Sequence, residues 1–139
     1  MIKKVFPYFR YLIFPITLGI LTISNIQGLL FLLCILLAAI FNAVMDSIEN
    51  EHIFSTIFSK LNPSFWSKRE SWNKSYTIME YDVDAWHLSK SANIICWISA
   101  ILLYRPLINP IMDLLLMGYF LNTTFSAFYN EVFKLRTKN

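Results

Sequence analysis

From residue 29 to residue 45 the chain carries a single polar side chain, Asn42, in an otherwise unbroken run of Leu, Phe, Ile, Ala, Val, Met and Cys. A run of this length is too long for one strand. It is also apolar on every helical face, so it reads as a helix that meets apolar surroundings all round. About 20 residues at 1.5 Å each cross a hydrocarbon core of roughly 30 Å, and the block at about 26–46 has that length. Three further blocks resemble it, at about 5–24 (interrupted by Arg10 and Pro15), 86–104 and 111–133. Composition agrees, with 56% hydrophobic residues, 15% charged and a mean hydropathy of +0.49. Soluble domains run near 45–50% apolar and about 25% charged. The expected fold is therefore an all-α integral membrane protein with four transmembrane helices, forming one membrane domain over residues 1–139.

The start Met1-Ile2-Lys3-Lys4 resembles the basic end of a signal peptide. No small-x-small cleavage site follows it, so the first helix is expected to be retained. The join at 25–28 is short and uncharged, which predicts a tight hairpin between the first two helices. Arg105-Pro106-Leu107-Ile108-Asn109-Pro110 is a turn rich in helix breakers. With four crossings, both termini and the central stretch share a side that holds every Lys and Arg except Arg105. The positive-inside rule makes that side the cytoplasm, an N-in/C-in topology.

Between the second and third helices, residues 47–85 form a cytoplasmic interfacial segment. Ile53, Phe54, Ile57, Phe58 and Leu61 recur at helical spacing, which predicts a continued second helix or an amphipathic helix in the interface. Asn62-Pro63-Ser64 reads as a stop. Phe65, Trp66, Trp72, Tyr76 and Tyr81, interleaved with Lys68, Arg69 and Lys74, have the composition of an interfacial belt.

This topology gathers polar groups at one membrane face. Tyr8 and Arg10 come from the first helix, Asn42 and Asp46 from the second, Asp84 and His87 from the third, and Tyr129, Asn130 and Glu131 from the fourth. Two carboxylate-x-x-histidine pairs stand out, Glu49 with His52 and Asp84 with His87, because positions i and i+3 share a helical face. In di-metal bundles such pairs build the cage. Asp46, His52, Asp84 and His87 are thus candidate ligands for a divalent metal such as zinc, iron or manganese, with Glu49 as catalytic base. The plainer alternative makes both histidines interfacial residues beside solvated acids, and a pH-responsive pair is a third.

Asp113 fits the dipole of its helix start or, alternatively, a proton or ion site. Asn122, Ser126 and Tyr129 share a face suited to interhelical hydrogen bonds. Cys34 and Cys96 lie in apolar blocks and read as small hydrophobes. A net charge of +3 gives no reason to expect nucleic acid, and no phosphate loop, nucleophile elbow or potassium filter is present.

Asn62-Pro63-Ser64-Phe65-Trp66, Ser71-Trp72-Asn73-Lys74 and Asp84-Ala85-Trp86-His87, together with Asn42 and Asp46 as an Asn-x-x-x-Asp, resemble a group of small uncharacterised bacterial integral membrane proteins. The resemblance spans about half the chain. It implies a bacterial or phage-related origin, hence the bacterial inner membrane, and no particular activity.

The leading functional expectation is a small membrane-embedded metal-dependent hydrolase acting on a lipid or amphiphile at the cytoplasmic face. A non-enzymatic subunit or assembly factor, binding anionic lipid or a protein partner through Lys68, Arg69 and Lys74, is the alternative. A small transporter or channel using Asp113 and Asn122 is the third. Membrane lipids are the expected partners, and a homo-oligomer is left open.

Overall fold

The computed structural model describes residues 26–71, 77–78, 81–106 and 108–135, with backbone alone at 50, 51, 77, 78, 81 and 82. The expected first helix at 5–24, with Tyr8 and Arg10, lies outside the described residues, as do Trp72, Lys74 and Tyr76.

Apart from one two-residue ladder, the described elements are helical. The first, α1 (Ile26–Ile48), contains the apolar run around Asn42 and no proline, so nothing interrupts its backbone ladder. After it come two 3₁₀ segments (Asn50–Ser55 and Ile57–Lys60) and two single helical turns, α2 (Pro63–Trp66) and α3 (Lys68–Ser71). Strands β1 (Thr77–Ile78) and β2 (Tyr81–Asp82) pair antiparallel, with Ile78 opposite Tyr81. Two long helices follow, α4 (Ala85–Leu103) and α5 (Pro110–Ala127), the latter widening into a π-helical end, Phe128–Phe133.

Two apolar clusters fix how the long helices run. Phe31 and Leu32 near the start of α1 pack with Ala100 near the end of α4 and Phe120 of α5. At the opposite end Ala43 and Ile48 pack with Ile53, Phe58, Ala85 at the start of α4 and Phe133. Hence α4 is antiparallel to α1 and α5 parallel to it, and α1 packs against both. Ala38, Ala39 and Ala43 are buried on α1, where small side chains let backbones approach closely. Asn93 Nδ2 uses that approach to donate to the Ala38 carbonyl at 2.7 Å.

Two helices, Ile26–Ile48 and Pro110–Phe133, are long and apolar enough to cross a membrane. Only 33% and 17% of their apolar windows are buried. They therefore turn most of their hydrocarbon outward, as Ile26, Leu29, Leu33, Ile111, Leu114 and Leu115 do. The core helix of a soluble domain does the reverse. His87, Lys90 and Asn93 make the first half of α4 more polar, while Ile94, Ile95, Ile98, Ile101 and Leu102 are exposed on its second half.

The interfacial segment differs from its expected form. Neither a prolonged α1 nor a separate α-helix carries Ile53 to Leu61. Glu49 is extended, and Thr56 (φ −119°, ψ 166°) breaks the path again. The cause is local. The hydroxyls of Ser55, Thr56 and Ser59 each donate back three residues, to the carbonyls of His52, Ile53 and Thr56 at 2.8, 2.9 and 2.8 Å. Such bonds tighten a turn toward 3₁₀ spacing and compete with an α-helical ladder. Asn62-Pro63 also starts an element as well as ending one, since Asn62 caps α2 by accepting from Ser64 N at 3.1 Å with Pro63 at the first helical position.

At the other end, Asn109 caps α5 through Met112 N (2.9 Å), again with proline next. Asp113 does more than complement a dipole. It is 1% exposed and accepts from Tyr104 Oη at 2.9 Å and from Ile108 N at 3.1 Å, which staples the 104–110 turn to α5.

Candidate functional site

The end of the molecule shared by the C-terminus of α1 and the N-terminus of α4 holds most of the candidate residues. Asp84 is extended at the N-cap of α4 (φ −130°, ψ 162°), where Oδ1 accepts from His87 N at 2.8 Å. Its Oδ2 lies 2.7 Å from His87 Nδ1 and accepts from Ser71 Oγ at 3.3 Å. The Asp84 side chain is 12% exposed and that of His87 58%. Burial pushes the Asp84 carboxyl up. The hydrogen bonds from the His87 backbone and ring, the ring's charge and the Ser71 hydroxyl together outweigh burial and hold it below the usual carboxylate range. The pair thus has the spacing read from the sequence, but the carboxylate is committed to capping a helix as well as to the imidazole.

Glu49 and His52 fare differently. Because α1 stops at Ile48, they do not share an α-helical face. The Glu49 carbonyl accepts from His52 N at 3.2 Å, while its carboxylate pairs with Lys68, nineteen residues on. Lys68 Nζ also sits 4.0 Å from the Trp86 ring centre, and Lys90 Nζ 4.9 Å from it. Trp86 meets the His87 ring edge-on at 5.1 Å. Asp46 lies on the last turn of α1, three residues before Glu49. Among the described residues no three His, Cys, Asp or Glu side chains come together in a group able to hold a metal ion. Asp84 and His87 meet, but the four expected ligands do not converge on one point.

A feature without a counterpart in the sequence reading lies beside them. The 3₁₀ segments and the turns α2 and α3 enclose an open groove of about 820 Å³. Ile53, Phe54, Phe58, Leu61 and Pro63 supply its apolar wall, and His52, Ser59, Ser67, Arg69 and Glu70 its polar one. Phe58 is fixed by stacking on Trp66 at 4.9 Å and by Phe133 at 5.1 Å. Ser67 Oγ accepts from Glu70 N at 3.3 Å and so starts the turn that presents Arg69 and Glu70. Signals for the groove were present: an apolar repeat interrupted by Ser55, Thr56 and Ser59, then a capped turn with adjacent opposite charges.

Two polar groups of α5 are bonded locally. Ser126 is bonded within its own helix, by Asn130 Nδ2 to both its carbonyl (3.0 Å) and its hydroxyl (3.1 Å). Thr123 likewise donates to the Tyr119 and Phe120 carbonyls. Asn93 of α4 does join two long helices, through the Ala38 carbonyl of α1.

No protein-family model, curated protein or solved structure matches the chain.

Proposed function

We propose that this chain is a four-pass integral membrane protein that holds a lipid or another amphiphile in the groove formed by residues 52–70. Residues 5–24 form the remaining crossing, and both termini and the groove face the cytoplasm. The two outward-facing apolar helices support the membrane setting. The placement of the basic residues supports the orientation. The resemblance to bacterial membrane proteins supports the bacterial inner membrane. The observation that carries the reading is the groove itself, whose Phe54 and Leu61 side chains stand beside Arg69 and His52. An apolar wall with a few placed polar groups is the ordinary make-up of a ligand cleft, and about 820 Å³ is within the usual range of roughly 300–1,000 Å³. The test is native mass spectrometry of the full-length protein from mild detergent. Bound lipid that disappears in Phe54→Asp is expected. If neither protein carries lipid after reconstitution and re-extraction, the reading is lost.

The Asp84–His87 contact favours a second reading, hydrolysis of the bound amphiphile. A carboxylate on Nδ1 orients an imidazole and leaves Nε2 as the proton-transfer atom. In its metal-dependent form Asp46, His52, Asp84 and His87 would hold zinc, iron or manganese with Glu49 as the base, which requires the four ligands to be drawn together and Glu49 to leave Lys68. Elemental analysis of the wild type and of a His52→Ala/His87→Ala double variant decides it. Near-stoichiometric metal in the wild type alone supports the site, and none in either, purified without chelator, removes it.

A further inference from the structure

The charges that line the groove narrow its ligand. Arg69 and Glu70 are consecutive in α3, both line the groove, and both are exposed. Among the described residues neither side chain is engaged in an ion pair. Their neighbour Lys68 is already taken by Glu49 and by the Trp86 ring. The wall therefore offers one fixed cation and one fixed anion, with His52 as a further nitrogen donor.

We infer that the groove takes a phospholipid with a zwitterionic aminophosphate headgroup, its phosphate on Arg69 and His52 and its primary ammonium on Glu70. This rests on the amphiphile reading above. A headgroup with net negative charge would meet Glu70 unfavourably. A trimethylated ammonium would give the Glu70 carboxylate no N–H to accept, whereas a primary ammonium donates up to three hydrogen bonds. Guanidinium matches phosphate with a bidentate fork. The acyl chain runs over Phe54, which is 76% exposed, and over Leu61 toward Phe58.

The experiment uses the full-length protein in neutral detergent with short-chain phosphatidylethanolamine, phosphatidylcholine and phosphatidylglycerol as probes, followed by tryptophan fluorescence. The wild type is expected to bind the ethanolamine lipid about tenfold more tightly than the choline lipid, the worth of one charge-assisted contact. Glu70→Gln abolishes that preference, and Arg69→Gln weakens all three lipids. Lys60→Gln, exposed and outside the groove lining, changes neither. Equal wild-type affinity for the ethanolamine and choline lipids, or a preference that survives Glu70→Gln, overturns the headgroup assignment and leaves the amphiphile reading intact. Free phosphoethanolamine binding as tightly as the lipid would instead overturn the amphiphile reading and make the ligand a soluble amine phosphate. Absence of binding for all three lipids overturns both.

Discussion

Asp84 serves two masters, the first turn of α4 and the His87 ring, and substitutions separate them. Removing an N-cap carboxylate costs about 1 kcal/mol, within a range of roughly 0.5–2. Asp84→Ala should therefore lower the thermal midpoint in detergent clearly, and His87→Ala, at a largely exposed ring, much less. The pH dependence has a definite sign. Asp84 titrates lower when folded than when unfolded, so its contribution is complete above the ordinary aspartate value near about 4 and is lost as pH falls through the lower folded value. The gap in midpoint between wild type and Asp84→Asn should close on acidification through that window. A gap that widens instead would contradict the assignment. Ser47 makes the opposite case. It is fully buried, and its hydroxyl has no hydrogen-bond partner among the described residues. Ser47→Ala should be neutral or stabilising by up to about 1 kcal/mol, because an unmet polar group is removed. Asp113→Leu should be costly, about 1–3 kcal/mol for each donor left bare at Tyr104 and Ile108, measured again as thermal midpoint against Asp113→Asn. The Asp84–His87 contact was legible because a cap and an i, i+3 pair share one spacing. The engagement of Glu49 by Lys68 was not, since a partner nineteen residues away leaves no periodic trace.

Among the elements, α1 was the most legible, because an apolar run with no proline or glycine after residue 28 has one low-energy form in apolar surroundings. The starts of α4 and α5 were legible too, through Asp84 and through Asn109-Pro110. The segment after α1 misled because apolar periodicity does not distinguish α-helix from two 3₁₀ pieces. The serine and threonine hydroxyls at 55, 56 and 59 decide between them, and periodicity ignores hydroxyls. The π-helical end of α5 has a similar origin. Asn130 Nδ2 occupies the Ser126 carbonyl, the acceptor its own N–H would take in an α-helix. Ala39 is fully buried on α1, so Ala39→Leu should overfill its surroundings and cost about 1–3 kcal/mol. Leucine is nearly as good a helix former as alanine, so a loss of that size in chemical unfolding reports side-chain volume and not propensity.

For the whole molecule, the antiparallel course of α1 and α4 and the return of α5 put Ile53, Phe58 and Ala85 at one end and Tyr104 at the other. The proposed topology places a membrane between them. Single cysteines at Ser59 and at Ile108, in a background with Cys34 and Cys96 replaced by alanine, should react with a membrane-impermeant maleimide from opposite sides. Labelling of both from the same side would refute the crossing scheme. The groove was signalled only in part, by the interrupted apolar repeat and the capped turn, because its walls are side chains that the tertiary path of two 3₁₀ segments brings together.

The far end of the chain is sewn to that same groove. Thr56 and Lys134 form an isolated antiparallel bridge, and Leu135 N donates to the Ser55 carbonyl at 2.8 Å. Phe133 packs on Phe58 directly beneath. Mechanical load on the C-terminal tail therefore reaches the ligand wall within a residue or two. A folded domain fused immediately after Leu135 would act as a lever on the cleft, whereas the same domain on a long slack tether would leave it undisturbed.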